Sequence, residues 1–476
     1  MSTLQAVERN RAETSSSPSL QSLEYENDNG TSLAPVDRGL GAWSFVLAAF
    51  GALYLLTRLI LVVIQIFAAF FVQAIVWAFP NSYGVFLDAY LNDPRYASQK
   101  QSGFLLPLAG TLSTGIIYLS SPVIHGLTGR RRYLRRPLLW LGTVLCWAGL
   151  FGASYVTKVE QLLVLQGIVY SIGGSFLYHP CVAYMSEWFV ARRGLANGIM
   201  FAGTGFGSLL LPIALRPLFN RFGTQITLRI LSIAIVCPLL LLLPFVKGRL
   251  PESRVPGPTA RSTDRSWMRH RALWMILFLN TVQGFAYFVP LIWLPTFTTE
   301  LRSSADSSLP LAALNGANVF GRIAMGTLSD RANPWLLGSM TLFSTSLATF
   351  VLWGVLSRNM AGLVAYGIAY GGFAGGWSSL WTGFIKPIAK DDPTLSSYMI
   401  GLLMLSRGLG NVLSTPISTS LLQGNASNDA HGKTGFDVAG GRFERVILYV
   451  GTCFAGAAVL AFAGWGMEKK RLLIGR

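Results

Sequence analysis

The stretch LPLAALNGANVFGRIAMGTL, residues 309–328, has the length a helix needs to cross the apolar core of a bilayer, yet it carries one charge, Arg322. A guanidinium stays protonated in a protein and is costly at membrane depth, so Arg322 must face protein or a wet cavity rather than lipid. Asn315, Asn318 and Arg322 recur at i, i+3 and i+7, which places all three on one helical face and leaves Leu, Val, Phe, Ile and Met for lipid or neighbouring helices. Two roles fit the arginine. It pairs with an anionic cargo, or it is a structural tie to backbone carbonyls or to Asp330.

Outward from this stretch, apolar runs of similar length recur. The chain of 476 residues is 52% hydrophobic and 12% charged, with 50 glycines and a mean hydropathy of +0.47, the composition of a membrane protein. Runs at 67–91, 103–122, 137–156, 162–185, 194–215 and 226–246 form one set of six. Runs at 273–297, 309–328, 334–356, 361–385, 396–422 and 446–467 form a second. This predicts an all-α integral membrane fold with two six-helix bundles, 42–246 and 272–467, joined by a cytoplasmic linker over 247–271 that is rich in proline and arginine. Residues 1–41 read as a disordered cytoplasmic tail and 468–476 as a second cytoplasmic tail. From Ala42 to Phe79 the chain is apolar for nearly twice the length of one span, which allows one extra helix near the N-terminus. Leu47-Ala48-Ala49-Phe50 is echoed by Phe67-Ala68-Ala69-Phe70, so 51–70 reads better as an insertion.

The formal net charge of +17 does not point to nucleic acid, because the basic residues gather in alternate short loops. Arg130, Arg131, Arg132, Arg135 and Arg136, then Arg192 and Arg193, then the linker, mark one side as cytoplasmic. Such a cluster reads as an anchor and inter-helix clamp. Cys146, Cys181, Cys237 and Cys453 lie far apart without CxxC or Cys/His spacing, so no disulfide framework, metal site or cofactor is expected. No GxxxxGK[ST], paired-carboxylate or HExxH motif is present, which argues against a primary pump or any enzyme. Gly194 and Gly198, Gly203 and Gly207, Gly367 and Gly371, and Gly372 and Gly376 are each four apart, the spacing that lets backbones approach in lipid.

With these residues laid out, the chain resembles the monocarboxylate-porter branch of the major facilitator superfamily, especially its fungal members. Asp37-x-Gly39 with Ala42-Trp43 is similar to the family's entry to the first helix, and Phe79-Pro80-Asn81-Ser82-Tyr83-Gly84 to its exit. Trp188-Phe189-Val190-Ala191-Arg192-Arg193-Gly194 is similar to the loop before helix five, and residues 283–295 and 407–416 have the fungal pattern. The resemblance implies a carboxylate paired to Arg322, the helix-eight arginine. Where proton-coupled animal members carry a lysine and an aspartate, this chain has Asn81 and Asn318, so the resemblance supports the cargo more than proton symport by those two positions.

Further candidates complete the site. Arg407, Asn411 and Ser414 form a second polar face, with Arg407 either touching cargo or bonded to backbone carbonyls. Tyr178, Tyr184, Tyr287, Trp377 and Trp381 are candidates to line a cavity for a ring-bearing cargo. His179, ahead of Pro180, is the one histidine well inside the predicted spans; it carries a proton or is packed against a carbonyl. Asn425-Ala426-Ser427 fits a glycosylation sequon. The expected function is secondary active or facilitative transport of a small organic anion, a monocarboxylate or carboxylated metabolite, by alternating access in a lipid bilayer. Arg322, Asn318, Asn81, Arg407, Asn411 and Tyr287 form the substrate set, and His179 is the proton-coupling candidate. The plasma membrane is the expected location, with an organellar membrane as the alternative. The competing readings are a carrier of neutral or ring-bearing molecules with a structural Arg322, or a non-transporting sensor on a transporter scaffold, which would usually carry a long cytoplasmic tail.

Overall fold

A computed structural model describes residues 57–189, 193–249, 266–301, 308–389, 393–422 and 434–474. The tail over 1–41, the entry at Ala42-Trp43, residues 51–56, the middle of the 247–271 linker (residues 250–265) and the sequon at Asn425 lie outside them. Every long element among the described residues is helical: α1 (Thr57–Asn81), α2 (Tyr83–Asn92), α3 (Ser102–Leu119), α4 (Ser121–Arg130), α5 (Arg135–Ala153), α6 (Tyr170–Trp188) and α7 (Arg193–Leu242), then α8 (Arg271–Tyr287), α9 (Val289–Leu301), α10 (Leu309–Ser329), α11 (Pro334–Ala348), α12 (Met360–Gly375), α13 (Trp381–Ala389), α14 (Pro393–Leu422) and α15 (Glu444–Ile474). In lipid the backbone must satisfy its own polar groups, and helices do so within one segment.

Pairs of these helices are single membrane crossings with a break inside. α1 passes to α2 at Ser82, α3 to α4 at Ser120, α8 to α9 at Phe288, and α12 to α13 through the tight turn Gly376–Leu380. Pro80 sits inside α1 two residues before the first break, where its missing N–H loosens the ladder, while Pro122 and Pro290 sit two residues after the next two, in the first turn of α4 and α9. The carbonyl of Val76, four residues before Pro80, instead accepts the Tyr170 hydroxyl of α6 at 2.9 Å. α7 is the opposite case, two crossings joined at Gly223, whose φ of 73° and ψ of 176° turn the chain in a conformation that suits glycine. Eight stretches among the described residues are long and apolar enough to span a membrane, the longest, Gly194–Phe245, being the two arms of α7. The other three crossings hold Arg322 (α10), Ser378 and Ser379 (α12 with α13) and Arg407 (α14). They are less apolar because part of each faces protein.

The first arm of α7 packs on α1 and on α10, and α14 packs on α3 and on α8, so the two halves meet along two helix pairs. The glycine spacing is what allows this. A side chain on Gly203 or Gly207 would strike the Phe70 or Ala74 carbonyl of α1, and one on Gly198 the Arg322 carbonyl of α10. Residues 57–70, most of the stretch read as an insertion, form the first half of α1, with Ile66, Ala68 and Ala69 buried.

Candidate functional site

The four helix breaks lie around one small cavity between the halves. Trp77, Asn81, Tyr118, Tyr178, Phe201 and Thr204 line it from the first half; Tyr287, Phe288, Arg322 and Ser378 line it from the second. Every break thus places at least one residue on its wall. The space a water centre can reach is about 10 Å³, room for about one water, so in this conformation the halves leave no space for a cargo between them.

Arg322 is 6% exposed. Its Nε donates to Asn318 Oδ1 one turn earlier at 2.6 Å, and its Nη1 donates to the Phe201 carbonyl of α7 at 3.2 Å, a bond between the two halves. Asn318 Nδ2 donates in turn to the Tyr287 hydroxyl at 3.4 Å. The expected i, i+3, i+7 face is real: Asn315, nearer the helix start, donates to the Ser208 carbonyl at 3.1 Å. Of the two structural ties open to Arg322, the backbone carbonyl is used and Asp330 is not. Asp330 instead accepts the Gly194 and Leu195 amides at 3.1 and 3.0 Å, capping the start of α7. Asn81 Nδ2 donates to Ser208 Oγ at 3.1 Å, which places a neutral amide on the wall opposite α10.

Arg407 is 1% exposed, and its guanidinium lies 3.9 Å from the centroid of the Tyr287 ring, with Tyr118, Phe288 and Trp381 also within 6 Å. Its Nε, Nη1 and Nη2 form no hydrogen bond, so it is not tied to backbone carbonyls. Asn411, one turn on, does not share this surround. It donates to Thr114 Oγ1 at 2.5 Å across the α3–α14 contact and so holds two helices together in this conformation, while Ser414 bonds back to the Asn411 carbonyl within α14. Tyr178 lines the cavity. Tyr184 lies instead beside Arg135, which pairs with Glu187 at 2.6 Å as a buried clamp, and Trp377 donates to Asn280.

His179 is buried, with Nε2 2.9 Å from the Ile117 carbonyl at the α3–α4 break. It is not the only histidine inside a span. The second crossing runs on past Pro122 to Arg130, which brings His125 inside, its ring 5.0 Å from that of His179. The apolar run read from the sequence ends at Pro122; in the structure that proline occupies the first turn of α4, where its missing N–H costs nothing, and the helix continues. Trp77, Tyr118, Phe201, Thr204, Phe288 and Ser378 were also unnamed as site residues. The prolines beside the breaks were the signal that pointed to Tyr118 and Phe288.

The profile described as the Major Facilitator Superfamily matches residues 64–415. The chain is 25% identical over 456 residues to the MFS transporter asaE of Aspergillus flavus, covering 94% of this chain and 93% of that protein. It is 25% identical over 403 residues to the fujikurins efflux protein of Gibberella fujikuroi, covering 83% and 80%. It is 26% identical over 433 residues to monocarboxylate transporter 10 of Mus musculus, covering 86% and 80%. Among solved structures, the nucleoside transporter NupG superposes with a TM-score of 0.59 at 14% identity, over 85% of this chain and 98% of that one. A bacterial homologue of the human lysosomal transporter Spinster, inward-facing and unoccupied, gives 0.59 at 14% identity over 84% and 96%. These two show the fold alone. With a profile spanning most of the helices and two halves closed around a shared cavity, the chain belongs to the Major Facilitator Superfamily, as a monocarboxylate-porter-like, multi-pass membrane transporter that works by alternating access.

Proposed function

We propose that this protein carries a small organic anion, a monocarboxylate or carboxylated metabolite, across the plasma membrane, and that Arg322 receives the acid group. The observation that carries the reading is the place of Arg322 on the cavity wall, with Nε fixed by Asn318 and Nη1 bonded across the halves to the Phe201 carbonyl. When α10 and the first arm of α7 part, that second bond is lost and the fork is free for a carboxylate, which it can hold bidentately. The carboxylate takes the place of the carbonyl, so binding and the gap between the halves involve the same donor. Asn81 and Tyr287 add neutral polar contacts, and Trp77, Tyr118, Tyr178, Phe201 and Phe288 receive the cargo's apolar body. Monocarboxylate transporter 10 of Mus musculus bears that cargo class in its name, which supports the reading.

The same Phe201 bond favours a second reading, a structural Arg322 and a neutral ring-bearing cargo held by the aromatic wall. Uptake into vesicles by purified protein, over a panel of carboxylates and neutral ring-bearing metabolites, separates the two. Arg322→Gln is expected to abolish saturable carboxylate uptake with surface expression intact. Arg322→Lys should not restore it, because a point charge cannot replace a planar fork. Full carboxylate uptake by the Gln variant would leave Arg322 as a structural tie, and uptake of the neutral metabolites without the carboxylates would favour the neutral cargo.

A further inference from the structure

We infer that the site is built for a cargo with two acid groups, the second of them received by Arg407; this rests on the transport reading above. The argument begins with buried charge. Among the described residues the buried carboxylates are Asp88 and Glu187, and each already faces an arginine, Arg216 at 3.6 Å and Arg135 at 2.6 Å. Neither Arg322 nor Arg407 has a carboxylate of the described residues within ion-pair distance. Two guanidiniums are therefore buried near one cavity without a counter-charge, and an ion taken out of water without a partner is strongly unfavourable.

The two arginines are held differently. Arg322 spends donors on Asn318 and Phe201, whereas Arg407 rests its face on aromatic rings and leaves its edge unused. Cation–π attraction acts on the face of the guanidinium; its N–H donors point along the plane and are strongest toward an oxyanion. One tyrosine links the two sites. The Tyr287 ring lies under Arg407, while its hydroxyl takes the N–H of Asn318, the residue that orients Arg322. Tyr287, Tyr118 and Phe288 line the cavity and also surround Arg407, so only a layer of rings separates that guanidinium from the cargo. Phe288 stands at the α8–α9 break, where the backbone leaves the helical ladder, so a turn of its ring opens the way. A monoanion at Arg322 leaves Arg407 uncompensated. An acid with a second carboxylate beyond the width of one ring pairs both.

The test uses the full chain in proteoliposomes, with butyrate, valerate and hexanoate set against succinate, glutarate and adipate at neutral pH, where both groups of each diacid are ionised. The dicarboxylates are expected to be carried or to compete better than monocarboxylates of the same length, with an optimum chain length. Arg407→Gln is expected to weaken the diacids roughly tenfold or more relative to the monoacids, the size of one lost charge-assisted bond. Arg322→Gln should weaken both series. A thermal shift of the unaltered protein by diacid against monoacid gives the same comparison without relying on how a variant folds. Uptake of monoacids alone, with no competition by diacids, or an Arg407→Gln variant that weakens both series equally, overturns the inference and leaves the transport reading standing. Uptake of neither series overturns both.

Discussion

Asn81 lines the cavity and bonds to Ser208, Asn318 bonds to Tyr287 and Arg322, and neither can change charge, so the hydrogen bonds the two asparagines make here are inert to pH. The titratable side chains nearby are the His125 and His179 rings, which lie edge to face between α4 and α6, and His179 already spends Nε2 on the Ile117 carbonyl. Protonating His179 would place charge beside a second imidazole, away from water. Uptake is therefore expected to be the same with and without an imposed pH gradient, in the unaltered protein and in His179→Gln alike. A gradient-driven uptake that disappears in His179→Gln would instead assign the proton to the histidine pair. Arg407 is the other lesson at this scale. Its position seven residues from Ser414 identified a polar face, but its lack of any backbone bond depends on α8 and α13 bringing Tyr287 and Trp381 to it.

For the helices, the glycine pairs illustrate how much a spacing can say. Gly367, Gly371 and Gly372 lie together on α12, yet only the first two turn their Cβ positions against α10, while Gly372 meets Gly321 of α10 through its backbone. A Cβ on Gly371 would run into the Leu314 carbonyl, and one on Gly367 into that of Pro310, whereas Gly372 has open space at its Cβ position. Gly371→Ala is expected to destabilise the protein by about 1–3 kcal/mol, the usual result of forcing volume into a packed contact. Gly372→Ala should be neutral or slightly stabilising, because alanine is the better helix former. Thermal unfolding of the two variants in detergent checks this, and equal melting temperatures would show that the α10–α12 contact is looser than described. α1 makes a related point: Phe70 and Ala74 sit one turn apart beneath Gly203 and Gly207. The echo at 47–50 would put Ala49 and Phe50 in the places of Ala69 and Phe70 if residues 51–70 were absent.

Across the whole molecule, both ends of the contact between the halves are bridged. At the end that the basic loops assign to the cytoplasm, Asp330 of the second half accepts the Gly194 and Leu195 amides, and Gly194 and Gly198 lie against Gly326. These amides are the first of α7, donors with no partner inside their own helix, and a carboxylate there also meets the positive end of the helix dipole. At the opposite end the Thr299 hydroxyl donates to Asp88 at 3.1 Å. Alternating access requires one bridge to open at a time. Asp330→Ala removes a cap worth about 1 kcal/mol, enough to shift the equilibrium roughly fivefold toward opening at that end. A cysteine placed by Ser378→Cys on the cavity wall, in a background without other cysteines, should be alkylated correspondingly faster by an impermeant reagent added from that side. An unchanged rate would show that the cap does not hold the halves together.

The sequence by itself determined the membrane class, the two sets of six crossings and the polar face of α10, because the bilayer imposes length and apolarity on each segment and a helix fixes which residues share a face. It also marked where crossings touch, through glycines four apart. What those faces meet was decided only by the tertiary structure. Periodicity along one helix carries no information about the partner brought against it, so it could not give the Phe201 carbonyl to Arg322, the aromatic rings to Arg407, Asp330 to the start of α7, or His125 to His179. The cavity has the same origin. Its wall is drawn from seven crossings in both halves, and it exists because those crossings converge at the depth where four of them break.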